Sequence, residues 1–148
     1  MSEKKNLDAV INELGYKIVE NIDKHKGKER NSLIAHIDKA LGVLVNDGVY
    51  AYYVFCKSKD RFGNKNKYED KLYSKIFITD IANKLRAYIN FENEKTQDIN
   101  QEDEEDTEQV FFQNLSEDLH ELLFFREMLE TVLIYARYHA KTLGDRNE

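Results

Sequence analysis

ALGVLVNDGVYAYYVFCKSK, residues 40 to 59, decides the reading of the fold: apolar residues fall at helical spacing on both sides of an Asn46-Asp47-Gly48 break, and the stretch closes on a basic tip. Before the break, Leu41 and Leu44 continue a stripe begun by Leu33 and Ile37. After it, Val49, Tyr52, Tyr53 and Cys56 share one face, with Tyr50, Val54 and Lys57 on the others. Asn and Gly accept the left-handed conformation that ends a helix, so the break reads as a tight connector between two helices. The second of these is apolar nearly all round, which predicts burial on one side and cover by a neighbouring element or a partner subunit on another.

Outward from this pair, the same periodicity predicts more helices. Leu7, Val10, Ile11, Leu14, Ile18 and Ile22 follow three-and-four spacing, with Gly27 read as the C-terminal cap and Ser32 as the N-cap of the next helix. DRFGNKN, residues 60 to 66, reads as a loop, and a fourth helix is expected from near Lys67. Its early stripe (Tyr68, Leu72, Ile76) and its later one (Ile78, Ile81, Ala82, Leu85, Ile89) differ by about a third of a turn at 100° per residue. That offset predicts a kink or break around Phe77 to Asp80, with Thr79 or Asp80 as a second cap. Ser116 is the expected cap of a long final helix running to about Leu143, with Gly144 beyond it. Leu122, Leu129, Ala136 and Leu143 fall seven apart there, and LLFF and VLIY widen the apolar surface, so this helix is expected at the centre. A short helical piece is expected at Gln109 to Asn114, where Val110, Phe111 and Phe112 need cover.

Composition points the same way. Across 148 residues there is no Pro, no Trp and only 6 Gly, so little interrupts helices, and the length suits one domain with its own core. The expectation is an all-α fold: a single-domain bundle over residues 1–148, of about five to six helices, with a long C-terminal helix. The lone Cys56 can close no intramolecular disulfide and its neighbours Tyr53 and Val54 mark a packed thiol, which fits a reducing compartment. MSEKKNLDAV has no apolar core behind its charges and no run of 18 apolar residues follows, so a cytoplasmic protein without membrane association is expected.

The net charge of −6 argues at first against a nucleic-acid partner. Residues 92–108, ENEKTQDINQEDEEDTE, carry nine acids and one lysine, however, and the other 131 residues hold 21 basic and 19 acidic side chains. One acidic segment therefore sets the sign. With Ile99 as its only apolar residue, it is expected to be a flexible loop, either simply solvated or shielding a basic groove. Basic residues cluster elsewhere: Lys24, Lys26, Lys28 and Arg30 in one stretch, then Lys57, Lys59, Arg61, Lys65, Lys67, Lys71 and Lys75 against Asp60, Glu69 and Asp70. A solvated loop would look similar, although Phe62 and Tyr68 add rings able to stack on bases.

Catalytic chemistry has little to stand on. Glu117-Asp118-Leu119-His120 is an E-x-x-H, the spacing by which bundle di-iron sites ligate a metal pair, but such sites need a second copy on another helix and none exists; a capped helix start explains it equally. His25, His36, His120 and His139 form no H-x-x-x-H, and no Gly-rich phosphate loop or nucleophile elbow occurs. The chain is expected not to be an enzyme and to need no cofactor or metal.

Three blocks, AHIDKALGVLVNDGVYAYYVFCKSK (35–59), YEDKLY (68–73) and EMLETVLIYARYHAKTL (127–143), resemble the small all-helical subunit of type III-B CRISPR RNA-silencing complexes, the Cmr effector. In that family a helix enters an Asn-any-Gly break, a second helix ends in a basic tip, a Tyr-any-any-Leu-Tyr helix follows a variable loop, and the last helix closes with a basic-aromatic pair. Arg137-Tyr138 takes that final position here.

The resemblance implies a non-catalytic subunit whose copies stack as an inner filament beside the crRNA-bearing subunits in antiviral defence. Its partners would be other effector subunits, further copies of itself, and the backbones of crRNA and target RNA. Phosphate contacts need positioned Lys and Arg and carry no sequence information, base pairing supplying that. On this reading Lys57, Lys59, Arg61 and Lys67 line the nucleic-acid side, with Arg137 and Lys141 as a second patch; complementarity to the negative end of the last helix accounts for Arg137 and Lys141 equally well. The small subunit of the type III-A (Csm) complex is the near alternative. A helical protein-interaction module unrelated to CRISPR is the alternative from another class.

Overall fold

Asn6 opens the first helix, α1 (Leu7–Ile22), its side-chain oxygen accepting the Asp8 N–H at 2.8 Å. The computed structural model describes residues 6–63, 71–90 and 104–144, with side chains for all of these except 61–63, 104–107 and 144. Val10, Ile11, Leu14, Ile18 and Ile22 are buried as their spacing predicts. The helix stops at Asp23, and Gly27 does not cap it. With φ at +63°, Gly27 instead opens α2 (Gly27–Asp47), so Ser32 lies exposed inside that helix rather than at its cap. A glycine able to enter the left-handed region serves to turn a chain into a helix as well as out of one.

The Asn46-Asp47-Gly48 break is the expected connector. Gly48, at φ +101°, donates its N–H to Leu44 O at 3.0 Å and Val43 O at 3.2 Å, closing α2, and its own carbonyl accepts the Tyr52 N–H to start α3 (Val49–Gly63). Val49, Tyr52, Tyr53 and Cys56 are buried, while Tyr50 and Val54 are exposed.

The next segment is one interrupted helix: α4 (Leu72–Ser74), a π turn (Lys75–Thr79), α5 (Asp80–Leu85) and a closing 3₁₀ turn (Arg86–Tyr88). An i→i+5 turn takes in one residue more than an α turn, which rotates the following stripe by about 100°. The π turn spans the point where the two stripes part, and Ile76 and Ile78, both within it, are buried. The helix start expected near Lys67 lies outside the described residues.

The expected loop over 92–108 needs correction where it is described: α6 runs Glu104–Ser116, so its last five residues are helical. Two causes act together. Acids in a first turn are favoured by the helix dipole, and Phe111, Phe112 and Leu115 gain burial only if the helix extends to present them. Residues 92–103 lie outside the described residues. Ser116 closes α6, its hydroxyl donating to Gln113 O, and Asp118 caps the final helix instead, its carboxylate accepting the Glu121 N–H at 3.3 Å.

That final helix, α7 (Leu119–Gly144), packs against α1, α2, α5 and α6 and is the centre of the bundle. Gly15 allows the closest approach: a Cβ there would lie 2.7 Å from Tyr135 Cβ and 3.0 Å from Val132 O. The fold is an all-α bundle of six helices among the described residues, counting the interrupted one once. No helix among them is long and apolar enough to cross a membrane.

Candidate nucleic-acid interface

Helix directions decide where the basic residues meet. Arg126 donates to Val45 O and Arg137 pairs with Asp38, so α2 runs antiparallel to α7. Asp60 contacts Tyr73 and Ser74, and Tyr52 bonds Phe77 O, so α3 runs antiparallel to the interrupted helix. The C-termini of α1, α3 and α7 and the N-termini of α2 and α4 consequently share one end of the bundle. This gathers Lys24, Lys26 and Lys28 with Lys57, Lys59, Lys71 and Lys141, residues drawn from stretches far apart in sequence.

The individual placements differ. Lys57 and Lys59 are half-buried and two residues apart on α3, about 200° around the helix, so they face different sides. Lys57 Nζ lies 5.5 Å from the Tyr53 ring centre and Lys59 Nζ 5.3 Å from that of Phe55. Lys141 is exposed in the last turn of α7. Arg137 is exposed too, but its guanidinium is 3.2 Å from the Asp38 carboxylate, so a surface ion pair occupies it. The side chain of Arg61 and the whole of Lys67 lie outside the described residues. Within the first basic stretch, Arg30 is held by Asp23 at 3.1 Å and His25 by Glu29 at 3.2 Å.

Lys59 is the predicted residue with the best-defined surroundings. Together with Lys28, Asn31, Ser32, Ala35, His36 and Lys39 of α2 and Tyr73 of α4, it lines a cleft of about 350 Å³. Sequence reasoning missed Lys39 and His36. The only local signal for His36 was its position one turn after the buried Leu33, which put it on the core face.

Beneath the cleft is a buried polar cluster. His36 is 2% exposed; Nε2 is 3.3 Å from Cys56 Sγ, and its ring stacks on Phe55 at 5.2 Å and meets Tyr73 and Phe77 edge-on. Burial, with Lys59 and Lys39 nearby, lowers its pKa to about 3, so the imidazole is neutral. Burial pushes the Cys56 thiol up, so it stays protonated. A neutral imidazole and a sealed thiol lack the thiolate that nucleophilic catalysis requires. Asp60 is also buried: it accepts the N–H of Tyr73 at 2.9 Å and of Ser74 at 3.2 Å together with the Ser74 hydroxyl, capping α4 from another helix. Burial raises its carboxyl pKa against the lowering effect of those bonds.

Glu117 lies in the turn ahead of α7 and His120 in its first turn, both exposed, so the E-x-x-H does not sit on one helix. No group of three or more His, Cys, Asp or Glu residues able to hold a metal occurs among the described residues. No protein-family model matches the chain, and neither a curated protein nor a solved structure matches it.

Proposed function

We propose that this chain is a non-catalytic helical subunit that binds RNA by its phosphates through the basic end of the bundle, as the small subunit of a type III CRISPR effector complex of the III-B kind. The observation that carries the RNA reading is the convergence on one end of lysines from the α1–α2 turn, α2, α3, the residue ahead of α4, and α7, despite a net charge of −6. The complex is inferred from the resemblance of the three sequence blocks; where they are described, they lie in the α2–α3 hairpin, at Leu72 and Tyr73 of α4, and along most of α7. The type III-A small subunit is the near alternative, since it would share fold and role.

A specific observation favours subunit contacts as well. Tyr50 and Val54 of α3 and Val110 of α6 are exposed, and Gln109 donates to the Tyr50 hydroxyl at 2.8 Å, so these apolar residues adjoin one another. In the proposed complex this surface meets a neighbouring subunit; in a helical interaction module unrelated to CRISPR it would meet another partner. Purification of a tagged chain from its native host tests the reading. Recovery of a multi-subunit complex that depends on crRNA is expected, and recovery of the same partners after ribonuclease treatment and deletion of the guide locus contradicts it.

A further inference from the structure

Three lysines around the cleft between α2, α3 and α4 have no carboxylate partner among the described residues. Lys28, Lys39 and Lys59 make no ion pair there within 4.0 Å, and no acid among the described residues lines the cleft. Two carboxylates act on Tyr73 at the edge of the cleft, Glu29, which pairs with His25 at 3.2 Å, and Asp60, which accepts the N–H groups of Tyr73 and Ser74; neither forms an ion pair with Lys28, Lys39 or Lys59. Three like charges brought to one cavity of about 350 Å³ repel each other, a cost that a bound anion removes.

The cleft is also built to hold its charges in position. Lys59 Nζ rests over Phe55, which stacks on His36 with ring planes 4° apart, and His36 is anchored to Cys56 in the core. Such prior ordering reduces the entropy lost when a ligand binds. Asn31, Ser32 and Tyr73 add neutral donors at the same cleft. Lys28 belongs to the first turn of α2, whose N-cap Lys26 makes no side-chain hydrogen bond, so the dipole of a 21-residue helix adds to the positive potential.

We propose that this cleft is a receptor for the terminal phosphate of a nucleotide. The charge decides between phosphate types. A backbone phosphodiester carries one negative charge and its neighbours continue along a groove, whereas three lysines here converge on one pocket. A phosphomonoester carries about −1.5 to −2 at pH 7, and a di- or triphosphate more, which matches three ammonium groups. A free nucleotide and the phosphorylated end of an RNA strand present the same chemistry. The strand source rests on the proposed function; the cleft itself does not.

Calorimetric titration of the full chain with adenosine, AMP and ATP, and with one oligoribonucleotide bearing either a 5′-phosphate or a 5′-hydroxyl, tests this. AMP and ATP are expected to bind and adenosine not to. The combined Lys28→Gln, Lys39→Gln and Lys59→Gln variant should weaken nucleotide binding at least tenfold with an unchanged thermal melt, and a Lys17→Gln, Lys84→Gln control should bind as the unaltered chain does. A tenfold preference for the 5′-phosphate oligonucleotide assigns the strand end; AMP binding without that preference assigns the free nucleotide and leaves the cleft standing. Loss of all RNA binding with AMP binding retained removes the proposed function alone. AMP and ATP binding no better than adenosine, or equal binding by the cleft variant, overturns the receptor.

Discussion

His36 Nε2 lies 3.3 Å from Cys56 Sγ, tying α2 to α3 at a point where both residues are buried. A histidine with its folded pKa lowered to about 3 from 6.5 binds its proton more readily in the unfolded chain. The stability this contributes is full above pH 6.5 and is lost as pH falls toward 3, at about 1.4 kcal/mol per pH unit. His36→Leu should flatten that limb. Urea denaturation of both proteins between about pH 6 and 4 measures it; parallel profiles contradict the buried neutral imidazole.

Asp60→Ala leaves the N–H groups of Tyr73 and Ser74 and the Ser74 hydroxyl without their acceptor. The expected loss is on the order of 3 kcal/mol, and Asp60→Asn, which keeps an acceptor, should lose less. Because burial raises the Asp60 pKa, its contribution has the opposite sign from that of His36: it is present in acid and lost as pH rises through the folded value. Amide exchange at Tyr73 and Ser74 should accelerate in the alanine variant before the rest of the bundle opens.

Gly15→Ala and Gly42→Ala should move stability in opposite directions. The first would put a Cβ 2.7 Å from Tyr135 Cβ and 3.0 Å from Val132 O, forcing α1 and α7 apart at a cost of about 1–3 kcal/mol. The second meets nothing within 4 Å in the interior of α2 and should gain about 0.5–1 kcal/mol from the lost freedom of glycine. Thermal melts of the pair provide the check.

Arg137→Ala should change stability by no more than about 1 kcal/mol, since its ion pair with Asp38 is exposed on both sides. It should also leave RNA affinity nearly unchanged, because Asp38 already offsets its charge. A large drop in RNA affinity in this variant, measured beside Lys141→Ala, would return Arg137 to the interface.

The apolar stripes were legible because burial follows helical spacing, and the offset between the stripes of Ile76 and Ile78 marked an irregularity there. It takes the form of a π turn at Lys75–Thr79 rather than a break with a second cap at Thr79. Helix ends were less so. Gly27 and Gly48 both adopt positive φ, yet one opens a helix and the other closes one, a difference set by the chain on either side. The start of α6 was hidden because its acidic first turn resembles a solvated tract, and its helicity depends on the cover that Tyr53 and Phe125 give Phe112. The basic tip at Lys57 and Lys59 was readable, but the cleft was not: Lys28, Lys39 and Lys59 meet only after α2 and α3 fold back on each other at Gly48.

The salt dependence of single-stranded RNA affinity tests the basic end most directly. For every phosphate that the protein no longer neutralises, the slope of log K against log salt should fall by about 0.7. Reversing charge at Lys57, Lys59 and Arg61 together should lower affinity and make the slope shallower by about 2. An unchanged affinity and an unchanged slope would contradict RNA binding at this end of the bundle.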